Sequence, residues 1–288
     1  MTAQRPAGFR TNKSGFRRDV STPRFLLPSG ACDTHMHIVG PFESYPLRET
    51  GTLQPPESTL DDYVRTAQTI GIARNVIVQP SFFARDNTCT LDSVQRLGQD
   101  RARAVVVVDS DIDDASIATM HAQGVRGIRL QRIVSGGTSI DDLERIAARI
   151  SVFGWHIQLF VDAAEVAELA PRIRTLPVAV VFDHMAQVHR DSGVTDPGFT
   201  ELLKLMDTGR IWVKLSNARF PPEAERAKAL IAANDERVVW GSDWPHVAYE
   251  EDVPEEGALL NALADWVPDE QTRKRILVDN PSALYFKD

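Results

Sequence analysis

The feature that most constrains this chain is a rhythm in which short β-branched runs recur, each followed by a stretch with apolar residues at helical spacing. Strand-like runs are read at Ala31–Met36, Asn75–Gln79, Ala104–Asp109, Val125–Leu130, His156–Val161, Ala179–Asp183, Ile211–Ser216 and Val238–Ser242. Helical periodicity fills the gaps near Thr59–Ile70, Leu91–Asp100, Ala115–Gln123, Ile140–Val152, Ala164–Ile173, Phe199–Asp207, Glu223–Ala233 and Glu256–Trp266, with a last piece at Glu270–Val278. Such alternation predicts parallel strands with helices outside, because a parallel pair needs a crossover connection and the helix supplies it. Eight units close on themselves more readily than they fill an open sheet. The predicted fold is therefore α/β, a single (β/α)8 barrel.

The 288 residues would suit two average domains, but barrels of this kind use that length as one. No Pro/Gly/Ser linker or repeat interrupts the rhythm, and no Gly-x-Gly-x-x-Gly follows a strand, which weakens the open doubly wound sheet. Residues 1–29 are rich in Arg, Pro, Ser and Gly without apolar period. They predict an extended N-terminal arm, mobile or wrapped on a neighbouring subunit of a homo-oligomer, ahead of a barrel over 30–288.

Charge and composition exclude several classes of partner. A net charge of −8 leaves no broad basic surface for nucleic acid, although a local positive cleft in an acidic protein still takes a small anion. No stretch has the length and apolarity of a membrane span. Cys32 and Cys89 are too few for a disulfide framework and lack metal spacing, so they read as structural thiols of a cytoplasmic protein.

Barrels of this class place their chemistry at the C-terminal ends of the strands, and here those ends are polar. The first run closes in Asp33-Thr34-His35-Met36-His37 and the second in Gln79. The fourth offers Arg129 and Gln131, the sixth Asp183-His184, the seventh Lys214 and Ser216, and the eighth Asp243 with His246 beyond. His35 and His37, two apart on a strand, project to the same face and can converge on one oxygen or one metal. Taken singly, each has a bland explanation: a strand-end polar pair, a satisfied core histidine at His184, a helix-capping Asp243. Taken together, three strands would have to supply such accidents at one mouth. His156, near the start of its strand, is read as a hydrogen-bonded core residue.

These pieces, with Val78-Gln79-Pro80-Ser81, Gly127-Ile128-Arg129, Asp183-His184-Met185 and Trp240-Gly241-Ser242-Asp243-Trp244-Pro245-His246, resemble the amidohydrolase superfamily. The likeness runs from about Ala31 to Tyr285. In particular they are similar to the branch holding 2-pyrone-4,6-dicarboxylate lactonases, galactarolactone isomerases and sulfomuconolactone hydrolases. The resemblance implies a catalytic set of Asp243, His35, His37 and His184, with Asp243 as the general base for an attacking water and the histidines around the substrate carbonyl. It implies substrate contacts from Arg129, Arg132, Gln79, Lys214, Ser216, Arg219 and His246, with the arginines gripping a carboxylate. Two positions depart from the pyrone lactonase pattern: Phe160 stands where tyrosine is expected, and Arg219 lies one residue early relative to Lys214.

The resemblance leaves the metal open. His35, His37, His184 and Asp243 could hold one divalent ion, zinc or manganese, yet the fifth run ends without a histidine and the fourth offers arginine in place of a bridging lysine. The resulting expectation is a hydrolase opening a small anionic lactone with no obligatory metal. The alternatives are a lactone isomerase with an internal hydroxyl nucleophile, a metal-dependent decarboxylase, and a non-catalytic barrel that binds an anion through Arg129 and Lys214.

Overall fold

The computed structural model describes residues 15–48, 55–131, 138–187, 193–216, 223–247, 249 and 252–287. Eight strands follow one another in chain order around one sheet: β1 (Cys32–Met36), β2 (Arg74–Val78), β3 (Ala102–Val106), β4 (Val125–Gln131), β5 (His156–Phe160), β6 (Val180–Phe182), β7 (Ile211–Leu215) and β8 (Val238–Trp240). Every neighbouring pair is parallel. Each run read as a strand in the sequence holds one of them, with its ends shifted by a few residues. Helices α1 (Leu60–Ile70), α2 (Thr88–Leu97), α3 (Asp114–Ala122), α4 (Leu143–Ile150), α5 (Ala163–Thr175), α6 (Pro197–Met206), α7 (Glu223–Asn234) and α8 (Glu256–Trp266) lie between and after them. Two short helices, α9 (Glu270–Lys274) and α10 (Asn280–Tyr285), end the described chain.

Strand side chains alternate between two environments, as the pleat requires. Ile128 and Leu130, Ile157 and Leu159, and Val213 and Leu215 join the large apolar core shared with the helices. The other parity in β5 and β7, His156, Gln158, Phe160, Trp212 and Lys214, turns inward. There Cys32, Val76, Val78, Val105 and Tyr285 form a separate floor. Polar residues on this inner parity are cut off from bulk water and must find partners among one another.

The closure between β1 and β8 brings the two richest motifs into contact. Thr34 Oγ1 donates to the Trp240 carbonyl at 2.8 Å. The Asp243 amide donates to the His35 carbonyl, and the His37 amide to that of Trp244, each at 2.8 Å. Gly241 makes the approach possible: a Cβ there would sit 2.6 Å from His35 Cβ and 2.9 Å from its amide nitrogen. Asp33 ties the joint from one side, accepting from the Ser242 amide at 2.9 Å, Ser242 Oγ at 2.5 Å and Tyr63 Oη at 2.9 Å.

The N-terminal arm, expected to be mobile or wrapped on a neighbour, lies from residue 15 onward against the chain's own barrel. Phe16, Val20, Phe25 and Leu27 pack on the helix-lined core. These apolar residues have no regular period, so an arm that borrows its partners from the barrel cannot be read from its own pattern. Among the described residues no helix is long and apolar enough to cross a membrane.

Candidate active site

At the barrel mouth one carboxylate oxygen meets three imidazoles. Asp243 Oδ1 lies 3.6 Å from His35 Nε2, 3.6 Å from His37 Nε2 and 3.8 Å from His184 Nε2. The residues arrive from β1, from just past β6 and from just past β8, the three strand ends singled out in the sequence. Two of them sit in the left-handed region, Asp243 at φ 66° and His184 at φ 51°, the latter opening a run of four positive-φ residues that ends at Gln187. A left-handed residue with a Cβ costs about 1–2 kcal/mol, and such a run persists only where its surroundings hold it. Here the Asp243 amide is fixed by the His35 carbonyl.

Electrostatics keep the carboxylate ionised. Burial alone would raise the Asp243 pKa, but the surrounding imidazoles of His184, His37 and His35 outweigh it and hold the group well below the usual carboxylate range. Burial also dominates at His35 and His184 and lowers both, assisted at His35 by the Lys214 ammonium and opposed by the carboxylates of Asp183 and, at His184, of Asp243.

Hydrogen bonds then decide which ring atom faces the mouth. His37 Nδ1 is 2.8 Å from the Val78 carbonyl, an acceptor only, so Nδ1 carries the proton and a neutral His37 presents a lone pair at Nε2. His184 Nδ1 is 2.8 Å from Ser216 Oγ, a hydroxyl able to donate or accept, so the bond fixes the ring with Nε2 towards Asp243 without selecting its tautomer. His35 Nε2 is buried without a hydrogen-bond partner.

Below this layer lies a network built around Asp183, buried and fixed by four side chains. Arg129 Nε donates to its Oδ2 at 3.0 Å and Gln158 Nε2 to the same oxygen at 3.1 Å. His35 Nδ1 lies 3.1 Å and Lys214 Nζ 3.6 Å from its Oδ1. Against the penalty of burial, His35, Arg129 and Lys214 hold the Asp183 carboxyl well below its usual range. Lys214 also donates to the Thr34 carbonyl at 2.9 Å and Gln158 Oε1 at 2.8 Å. Burial lowers its pKa to about 8 even with Asp183 beside it.

Several residues read as substrate contacts are buried and bonded to partners within the protein. Lys214 is fully buried under His35, so it supports the ring and does not line the mouth. Gln79 spends its amide on the loop after β2: Nε2 donates to the Ala84 and Asp86 carbonyls at 3.2 and 2.8 Å, and Oε1 accepts from Thr90 Oγ1 at 2.6 Å. Ser216 faces His184, and His246 Nε2 lies 3.0 Å from Glu256 Oε1, both side chains buried. Arg129 is buried, its guanidinium 4.7 Å from the Phe160 ring centroid and its Nε donating to Asp183. Arg132 and Arg219 lie outside the described residues. Sequence reasoning assigned no role to Gln158, Asp183 or Glu256. For Gln158 the signal was present, a polar residue on the parity of Phe160 inside an apolar strand.

The donor set fits a divalent cation. Two groups of three among the described residues bring one ligand atom each within 4.8 Å of one another: His35, His37 and Asp243, and His35, Asp183 and His184. The unpartnered His35 Nε2 and the lone pair at His37 Nε2 point to the same place. Asp183 is the least available donor, because Arg129 and Gln158 already occupy its Oδ2.

With this geometry in place, comparison with known proteins is informative. The sequence profile described as Amidohydrolase matches residues 32–287. A 4-sulfomuconolactone hydrolase of Hydrogenophaga intermedia is 34% identical over 284 residues, covering 94% of this chain and 93% of its own. A 2-pyrone-4,6-dicarboxylate hydrolase of Comamonas testosteroni is 32% identical, with 93% and 94% covered. A D-galactarolactone isomerase of Agrobacterium fabrum (strain C58) is 31% identical, with 92% and 94% covered. An apo crystal structure from Agrobacterium tumefaciens superposes with a TM-score of 0.83 at 31% identity, covering 93% of this chain and 98% of that one. A profile match across nearly the whole barrel, relatives aligned over almost their full lengths, and Asp243 with its histidines at the barrel mouth agree: the chain belongs to the amidohydrolase family.

Proposed function

We propose that this chain hydrolyses a lactone bearing a carboxylate or a similar anionic group, acting on a small cytoplasmic metabolite in the breakdown of aromatic compounds or sugar acids. The observation that carries the reading is the ionised Asp243 carboxylate, whose Oδ1 sits within 3.6–3.8 Å of three imidazole nitrogens. A water held between Asp243 Oδ1 and the lone pair of His37 Nε2 gives one proton to the carboxylate as its oxygen bonds to the lactone carbonyl carbon. The developing oxyanion takes a hydrogen bond from His184 Nε2–H. As the ring C–O bond breaks, the proton returns from Asp243 to the leaving oxygen, and the product is the open hydroxy acid. Arg129 pairs with the substrate's anionic group, for which its planar guanidinium is suited.

His35, His37, His184 and Asp243 would hold a divalent ion, which when bound would polarise the carbonyl and acidify a water. The reading treats such an ion as non-obligatory, since the base, the donor and the anion clamp are all side chains of this chain.

Three of the relatives' names support a lactone: two hydrolases and one isomerase. The isomerase favours a second reading in which a hydroxyl of the substrate replaces water as nucleophile. The test is a panel of carboxylated and sulfonated lactones assayed in heavy-oxygen water, with and without a chelator. Ring opening with label incorporated supports hydrolysis, unlabelled ring exchange supports isomerisation, and no turnover of any lactone contradicts both.

A further inference from the structure

The segment from Gly15 to Arg24 takes no part in the chemistry above, yet it lies on the loop that carries Asp243. The Phe16 ring sits 4.9 Å from that of Trp244, whose other aromatic neighbour is Tyr63 at 5.3 Å. Trp244 directly follows the base and is fully buried, and its carbonyl takes the His37 amide hydrogen bond at 2.8 Å. One residue thus links both sides of the candidate site. Arg18 stacks its guanidinium on the Phe16 ring at 4.9 Å.

Further along, the same segment grips the start of α8. Ser21 donates from its amide at 2.7 Å and its hydroxyl at 2.9 Å to Glu255, which caps α8 by accepting from the Gly257 and Ala258 amides. The next residue, Glu256, holds His246. Arg24 fastens the far end through its amide to Asn261 Oδ1 at 2.8 Å and its guanidinium to Asp265. The contact is close: a Cβ on Gly257 would fall 2.2 Å from the Ser21 carbonyl oxygen.

We propose that residues 15–24 are a positioning strap that holds the Asp243–His246 loop in its working geometry from outside the barrel. This rests on the reading of Asp243 as the base. The physical reason is that Asp243 and His246 both have positive φ, at 66° and 61°, so the loop keeps this shape only where its surroundings hold it, and the strap adds to the hold of the His35 carbonyl. Phe16 holds Trp244 within the loop, and Ser21 holds Glu255, the neighbour of the Glu256 that meets His246.

The test uses the full chain with Phe16→Ala, Phe16→Leu and Gly257→Ala, the last of which drives Ser21 off α8. Phe16→Ala and Gly257→Ala should each lower kcat about tenfold with KM within about twofold, the signature of misplaced groups. In the substrate-free protein, the amides of residues 241–244 and 246 should exchange with solvent about tenfold faster while those of β4 and β5 keep wild-type rates. Phe16→Leu should restore both. Unchanged exchange at 241–246 overturns the strap, as does faster exchange without loss of kcat, a rise spread over the whole barrel, or failure of leucine to rescue. If the wild-type chain opens no lactone, the hydrolase reading falls, and exchange alone decides the strap.

Discussion

Asp183 Oδ1 and His35 Nδ1 lie 3.1 Å apart inside the barrel, and neither side chain is exposed to solvent. A carboxylate and an ammonium behind a histidine fix the ring's position, here Asp183 at 3.1 Å and Lys214 Nζ at 3.2 Å from Nδ1, and leave the far nitrogen facing Asp243. Asp183→Asn removes that charge and leaves Arg129 and Lys214 without their shared anion. We expect kcat to fall by about 10²–10⁴-fold and stability by about 3–5 kcal/mol, read by steady-state kinetics and denaturant unfolding.

Lys214 separates support from binding. It touches Thr34, His35, Gln158 and Asp183 and is fully buried. Lys214→Met should therefore lower kcat by about tenfold or more while KM stays within about threefold. A large rise in KM with kcat preserved would instead place the ammonium on the substrate.

Arg129 should behave in the opposite way. Its Nε is fixed by Asp183 at 3.0 Å, and in the proposed reaction the rest of the guanidinium pairs with the substrate's anionic group. Arg129→Met should raise KM by about 10–100-fold, the loss of a charge-assisted hydrogen bond worth about 1.5–3 kcal/mol. Lactones without an acidic group should lose much less, which a paired comparison of substrates measures.

His156 gives the barrel floor a pH dependence. Its ring is buried edge-on to Tyr285 at 5.2 Å, and burial lowers its pKa from 6.5 to about 3. The folded state keeps the ring neutral, whereas the unfolded chain binds a proton below 6.5, so stability present above that value is lost as pH falls towards about 3. The slope approaches 1.4 kcal/mol per pH unit in that window. Unfolding titrations should show His156→Phe with a shallower slope there than the wild-type chain, and an unaltered slope would contradict this.

The barrel was legible because period and length carry it: each β-branched run is short, each connection is helical, and closure follows from counting. Asp243, His35, His37 and His184 were legible because strand ends in a barrel share one mouth. What the sequence does not carry is depth along the strand. Lys214 has the same inward parity as Ser216, yet it is fully buried, and its charge meets Asp183, Gln158 and the Thr34 carbonyl. Gln79 occupies a strand end, but its amide is consumed by the Ala84–Asp86 turn, a conformation set by Thr90 arriving from α2. Glu256 reads as the first residue of a helix, and its contact with His246 depends on where that helix lands.

The central claim is that Asp243 is the base, and Asp243→Asn tests it most directly. The amide keeps the size and part of the hydrogen bonding of the carboxylate but cannot take a proton from water. On a lactone that the wild-type chain opens, turnover by the variant should fall by at least about 10³-fold, while the open hydroxy acid still binds within a few-fold of its wild-type affinity. Turnover near the wild-type rate would contradict the account.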